Sequence, residues 1–316
     1  MQYYIQLMHF SIFKSRRESM TSKYCMETVV IVLCIGMLSV PATIGFSKSS
    51  ITPSSQRDSL TAEAGRSPHK LLLRSAAALV KDQETGEFLI QKQATAVLPI
   101  ASITKLMTAM VVIDANMELE ESLTIEHVDM VGLRRRARSL LPMGTQLTRR
   151  DALLLALMAS DNRSAHALGR TYHGGLDACI TAMNAKAQSL GLIETHFEDT
   201  TGLSSGNVSS ARDLVRLVDT AYQYSLIREF TTCKKAVIPS GRRILEFHNT
   251  NRLIQNRRWQ IGLSKTGFIG AAGRCLVMQA HVAQRPLIIV LLDSQGKLTR
   301  VGDANRIKHW LEGLSL

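Results

Sequence analysis

The chain has 316 residues, 45% hydrophobic and 20% charged, with 20 Gly and 7 Pro. That composition excludes a disordered, collagen-like or multi-span membrane protein and leaves one large or two modest globular domains. The formal net charge of +12 reads as a generally basic surface, because no Lys/Arg run is interleaved with aromatics, and no nucleic-acid partner is expected.

From the N-terminus, the segment TVVIVLCIGMLSVPATIGF (residues 28–46) carries no charge and follows Lys14, Arg16, Arg17 and Lys23. A basic region, an apolar region and then small residues predict a signal peptide over 1–42, cleaved after Ala42. Pro41 and Gly45 interrupt the apolar run and argue against a permanent span, and Leu33 before Cys34 argues against lipid attachment. The stretch ahead of Met20 is long and mixed, so Met20 is an alternative start. Export to an oxidising compartment follows, where Cys179, Cys233 and Cys275 can form at most one disulfide. Residues 43–69, rich in Ser, Thr and small polar residues, read as a flexible leader.

The fold is expected to start near Lys70. Leu72 to Lys81 and Glu87 to Lys92, separated by a turn-forming segment, predict a β-hairpin, and a helix follows from Ser102 to about Met117. The middle reads as helical throughout. Thr148 with Asp151, and Ser210 with Asp213, resemble capping boxes, and a helix over Leu176 to Leu190 is expected to end at Gly191. Trp259 to Gly267, Arg274 to Ala283 and Pro286 to Asp293 predict three strands. Arg300 to Leu314 predicts a helix whose Val301, Ile307, Trp310, Leu311 and Leu314 can cover a sheet. The fold class is therefore α+β: an antiparallel sheet built from distant sequence and flanked by helices, with an inserted helical subdomain at about 118–255. A cleft between the two parts is the expected ligand site.

Three short motifs fall on this scaffold. Ser102-Ile103-Thr104-Lys105 opens the first helix, where positions i and i+3 share a face, so Lys105 can reach the Ser102 hydroxyl. Ser160-Asp161-Asn162 follows an apolar helix, where an ordinary N-cap is the competing reading. Lys265-Thr266-Gly267 ends the first returning strand. Each is weak alone, but the order and setting of all three match a trio associated with penicillin-binding proteins and class A β-lactamases.

A serine hydroxyl needs a base within reach, and Lys105 serves only when uncharged, which burial and the charge of Lys265 are both expected to favour. In that reading Ser102, Lys105 and Ser160 are catalytic, with Ser160 relaying a proton to the leaving amine. The backbone N–H groups of Ser102 and Phe268 form an oxyanion hole. Asn162 orients the substrate amide, and Lys265 and Thr266 face a substrate carboxylate. Gly267 lets substrate lie against the strand.

The segments LPIASITKLMTAMVV, LLLALMASDNRSA, MNAKAQSLGL, TGLSSGNVSSARDL, HNTNRL and SKTGF resemble the low-molecular-mass penicillin-binding proteins, serine D,D-peptidases acting on peptidoglycan, and within them the endopeptidase branch. The resemblance spans about residues 70–316 and implies that this span is a catalytic domain. It implies a Ser102 acyl-enzyme, Lys105 as proton acceptor, help from Ser160 and Asn162, and substrate binding by Lys265. It also implies peptidoglycan peptides as substrates, β-lactam antibiotics as covalent inhibitors, and no cofactor. The chain after Gly267 is consumed by two strands and a helix, so no membrane-tethering tail is expected and the mature protein is expected free in the periplasm. Alternatives are a D-alanyl-D-alanine carboxypeptidase, a class A-like β-lactamase using Glu194 or Glu198, and a non-catalytic penicillin-binding scaffold. No metal is expected, because the nine His include no HExxH spacing. The Arg134, Arg135, Arg136 and Arg138 cluster reads as a solvated loop, and His166, His248, Asn249 and Asn251 as structural.

Overall fold

The computed structural model describes residues 71–130, 139–241 and 243–314. The expected signal peptide and leader and the arginine cluster at 134–138 lie outside them.

Two apolar segments joined by a tight turn form β1 (Ser75–Asp82) and β2 (Phe88–Lys92). After the short β3 (Leu98–Pro99), a 3-10 turn over Ala101–Thr104 runs directly into α1 (Lys105–Asp114). Every residue of α1 from Lys105 to Val112 is buried, which makes it the central helix of the core. β4 (Ser122–Thr124) pairs with β5 (Gln146–Thr148), and α2 (Arg149–Leu154) continues as a π-helical turn over Leu155–Ala159. There follow α3 (Asn162–Arg170), α4 (Gly175–Ser189), β6 (Val208–Ser209), which pairs with β3, then α5 (Ala211–Tyr222) and α6 (Ser225–Thr232). The caps legible in the sequence form as written: Thr148 accepts from the Asp151 N–H and Ser210 from the Asp213 N–H. Gly191, just past α4, takes φ +67°.

The expectation of an entirely helical middle is corrected. Besides β4 and β5, the chain forms a ribbon of β7 (Lys235–Ser240) and β8 (Arg243–His248), with Ser240 opposite Arg243 and Gly241 at φ +59° in the turn. Ile238 and Phe247 bury one face of this ribbon while Val237 and Ile244 leave the other exposed, a strand's alternation rather than a helix's.

β9 (Gln260–Ile269), β10 (Gly273–Val282) and β11 (Arg285–Ser294) then return to the sheet, and α7 (Thr299–Leu314) closes the chain. The order is β2-β1-β11-β10-β9, antiparallel throughout, so the first strand pairs with the last, Ser75 opposite Ser294. One sheet face, with Ala77, Leu79, Val277 and Val290, packs on Ile103 and Leu106. The other, with Val80, Leu276, Met278 and Leu291, packs on Ile307 and Leu311 of α7. Val301 and Trp310 join that second layer, whereas Leu314 is exposed. β9 is left at the sheet's edge, facing the helical part. Cys179, Cys233 and Cys275 are all free thiols. Burial pushes the thiols of Cys179 and Cys275 up to about 12 and about 11.

Asp303 ties α7 to the first strand. Its carboxylate accepts from the Ser75 N–H at 2.7 Å, the Ser75 hydroxyl at 2.5 Å and the Arg74 N–H at 3.0 Å, and it pairs with Arg306. Burial would raise its pKa, but these donors hold it below the usual carboxylate range. Its contribution is thus present above the unfolded carboxylate pKa and lost as pH falls through the folded one. Asp303→Asn should cost about 1–3 kcal/mol at neutral pH. In urea unfolding the deficit should shrink as pH is lowered from about 5 to about 2.

Candidate active site

The turn that carries Ser102 is shaped by its neighbours. Ala101 takes φ +49°, and the Thr104 hydroxyl donates to the Ala101 carbonyl at 2.8 Å, closing the turn. Two glycines press on it from different segments. A Cβ on Gly202 would lie 2.1 Å from the Ala101 oxygen and 2.8 Å from the Ser102 nitrogen; one on Gly267 would lie 2.7 Å from the Ile100 oxygen. Gly267 was expected to make room for substrate. Its contacts give a different reason: it lets β9 approach the turn bearing Ser102.

Ser160-Asp161-Asn162 follows the π-helical turn, and Ser160 takes the left-handed conformation at φ 58°, a pairing often found at functional sites. The N-cap reading also holds, since Asp161 accepts from the Ser164 N–H at 2.8 Å and caps α3. The tripeptide therefore does two jobs: Asp161 starts a helix while its neighbours face the two lysines.

Lys105, fully buried, donates from Nζ to Ser102 Oγ at 3.0 Å, to Asn162 Oδ1 at 2.7 Å and to the Thr201 carbonyl. Burial lowers its pKa to about 7, against the opposing charges of Asp199 and Asp161. An ammonium fills its three N–H groups with these partners. A neutral amine has two N–H groups and one lone pair, and the amide and carbonyl oxygens can only accept. The lone pair is therefore left for the Ser102 hydroxyl, the one partner with a proton to give.

Lys265, 1% exposed, donates to Ser160 Oγ at 2.8 Å, so the serine of the second motif bridges to the third. Its pKa lies well below the usual lysine value, first through burial and then through the charges of Lys105 and Arg300. Burial, one of the two causes expected for Lys105, comes first at both lysines, and the repulsion between the two amines, which is mutual, adds to it at Lys265.

At the end of β9, the Thr266 hydroxyl donates to Thr250 Oγ1 at 2.7 Å, which leaves the Thr250 proton, rather than the Thr266 one, for an arriving anion. Arg300, from the start of α7, donates to the carbonyls of Gly267 at 2.7 Å and Cys275 at 2.9 Å. Burial first, and then the charge of Arg274, lowers its pKa to about 10, so it is charged at neutral pH and is a standing cation beside Gly267. Phe268, next on β9, is half-exposed, with the Arg274 guanidinium carbon 4.4 Å from its ring centre. Thr201 and Thr250 lie inside two of the segments that carry the resemblance, TGLSSGNVSSARDL and HNTNRL, whereas Asp199 and Arg300 lie in none; what each of the four touches is set by the fold and not by a short pattern.

Glu194 and Glu198 are both engaged elsewhere: Glu194 accepts from the Ser210 hydroxyl at 2.7 Å and Glu198 from the Ser204 hydroxyl. Residues read as structural make structural contacts. His166 pairs with Asp129, Asn249 donates to the carbonyls of Thr231 and Cys233, and Asn251 donates to Ser264 Oγ.

A family profile described as D-alanyl-D-alanine carboxypeptidase, peptidase S11, matches residues 64–296. The chain is 47% identical to a D-alanyl-D-alanine endopeptidase of Pseudomonas aeruginosa, over 76% of this chain and 78% of that one. It is 43% identical to the Escherichia coli K12 D-alanyl-D-alanine endopeptidase, over the same shares. Among solved structures, the Streptomyces K15 DD-transpeptidase aligns with a TM-score of 0.71 at 27% identity, covering 78% of this chain and 98% of that one.

Acylation of Ser102 by a fluorescent penicillin should accelerate as pH rises through a midpoint near the Lys105 value of about 7, because only the neutral amine accepts the serine proton. A rate flat from pH 5 to 9 would remove Lys105 as the base. Gly267→Ala should slow acylation by roughly tenfold or more, since the strand must retreat from the Ser102 turn; stopped-flow labelling reads both.

Proposed function

The chain belongs to the D-alanyl-D-alanine carboxypeptidase family, peptidase S11, and is a serine D,D-peptidase; from that premise we propose that it hydrolyses peptidoglycan peptide cross-links as a D-alanyl-D-alanine endopeptidase. The observation that carries the chemistry is the fully buried Lys105, whose lone pair Asn162 and Thr201 leave for Ser102. The two relatives above 40% identity, both named D-alanyl-D-alanine endopeptidase, support cross-links as the substrate.

Ser102 Oγ attacks the D-alanyl carbonyl carbon as its proton passes to Lys105 Nζ. The oxyanion forms against the N–H groups of Ser102 and Phe268. As the amide C–N bond breaks, Ser160, hydrogen-bonded to Lys265, relays to the departing amine the proton that Lys105 took from Ser102; water then adds to the ester carbonyl, restoring the Ser102 hydroxyl and releasing the acid. Asn162 has its oxygen committed to Lys105 and offers its N–H groups to the substrate amide. The carboxylate beside the scissile bond is received by Arg300, Lys265 and the Thr266–Thr250 hydroxyl pair. The peptide lies along the free edge of β9 as an added strand. A β-lactam enters by the same route and stays as a Ser102 ester. Hydrogen-bonded away from Ser102, Glu194 and Glu198 do not supply the deacylating base of a class A β-lactamase.

In the cell this activity trims the wall during growth and shaping, in the periplasm. Residues 1–42 act as a removed signal peptide, 43–69 as a leader and 70–316 as the catalytic domain, with the insert at about 118–255. No helix among the described residues is long and apolar enough to cross a membrane. Carboxypeptidase action on uncross-linked stems is the second reading, favoured by the family description.

Fluorescent penicillin should label the wild type and fail to label Ser102→Ala, with nitrocefin turnover no faster than a few per minute. Mass analysis of products from cross-linked dimers and from pentapeptide monomers should show dimers converted to monomers. Loss of terminal D-alanine with dimers untouched would overturn the endopeptidase assignment.

A further inference from the structure

Beyond the three motifs, the loop after α4 supplies an acidic residue to the site. We propose that Asp199 is a positioning residue for acylation: it holds the peptide unit between Thr201 and Gly202 so that the Thr201 carbonyl keeps Lys105 aligned on the attacking hydroxyl. This rests on the reading of Ser102 and Lys105 given above.

The geometry is specific. Asp199 Oδ1 accepts from the Thr201 N–H at 2.6 Å, the Thr201 hydroxyl at 2.9 Å and the Gly202 N–H at 2.6 Å, while Oδ2 accepts from the Ser204 N–H at 2.7 Å. The Gly202 N–H and the Thr201 carbonyl belong to one planar peptide unit and point in opposite directions. Asp199 therefore grips one end of that unit and Lys105 Nζ the other. A carboxylate on the N–H end polarises the unit and makes its carbonyl a stronger acceptor. That carbonyl is one of the two pure acceptors that turn the Lys105 lone pair towards Ser102.

The same grip sets the nucleophile's backbone. Gly202 takes φ +80° and sits so close to Ala101 and Ser102 that a Cβ would lie 2.8 Å from the Ser102 nitrogen. Moving the turn therefore moves the support beneath an N–H assigned to the oxyanion hole. With four donors on its two oxygens, Asp199 is a poor candidate for activating water itself.

Other charged groups also act around Lys105. Asp161, at the start of α3, favours its ammonium as Asp199 does, and Lys265 on β9 has Arg300 behind it. None of these is altered in an Asp199 variant, so a change in pH dependence reports on Asp199.

The test is time-resolved acylation of the full chain by fluorescent penicillin from pH 5 to 10, for wild type, Asp199→Asn and Asp199→Ala, with thermal melts to establish folding. Asp199→Ala should lose roughly tenfold or more of the plateau rate, and Asp199→Asn, which keeps an acceptor oxygen, should lose less. In both, the pH of half-maximal rate should move down by about half a unit or more, because the lost negative charge favoured the ammonium. On cross-linked muropeptides kcat should fall with KM little changed. Should Asp199→Ala not fold, Asp199→Asn carries the test. Folded variants acylating within twofold of wild type with an unmoved half-rate pH would overturn the role of Asp199 alone. A rate loss uniform across pH would do the same, leaving only loop stability. A folded wild type that takes no label would overturn the reading of the site as well.

Discussion

Lys105 is sealed at the first turn of α1 against two oxygens, Asn162 Oδ1 and the Thr201 carbonyl, that can accept hydrogen bonds and never donate them. Water would offer the amine donors and acceptors alike, and the lone pair would then have no assigned direction. Dry and flanked by Asn162 and Thr201, the amine has one partner left with a proton. The same burial brings the pKa from 10.5 to about 7, which corresponds to roughly 5 kcal/mol. Between those two values the unfolded chain holds a proton that the folded chain has given up, so stability rises with pH across that window. Below it the folded chain carries a buried charge and bears the full cost. The apolar burial of α1 on both sheet and helices must offset that cost.

The rest of the architecture keeps this pocket closed while leaving one side open to a peptide. Segments from three parts of the chain meet at Ser102: its own 3-10 turn, the loop carrying Gly202, and the edge strand carrying Gly267. Both glycines act as spacers whose missing side chains allow backbone to meet backbone. Ser160 reaches Lys265 from a left-handed residue at the end of a π-helical turn, while Asp161 makes that distortion the start of the next helix. Strain at Ser160 is thereby anchored on both sides by regular structure.

Much of this was legible because local chemistry writes it. Thr148 and Ser210 cap helices with a side chain and a backbone group three positions away, a relation that sequence displays directly. The β9 to β11 strands are long apolar runs, and the three motifs each lie within four residues. The ribbon of β7 and β8 is less legible, because each strand has only six residues and Pro239 interrupts the apolar alternation on the way into the Gly241 turn. Thr250 and Arg300 reach the site by tertiary contact alone: a hydroxyl pair with Thr266 and two carbonyls on β9 and β10. That burial comes first in the shift of both lysines is likewise a tertiary fact, because it depends on what the fold packs around each amine.

The pairing of β1 with β11 joins Ser75 to Ser294, nearly the whole described length apart. During synthesis the middle of the sheet has no partner until the final strands emerge from the ribosome. Until then Lys105 and Lys265 stay hydrated and charged, Ser102 has no base, and the nascent enzyme is inert. A chain that cannot close early is one whose hydrolytic power is assembled only when synthesis is nearly complete.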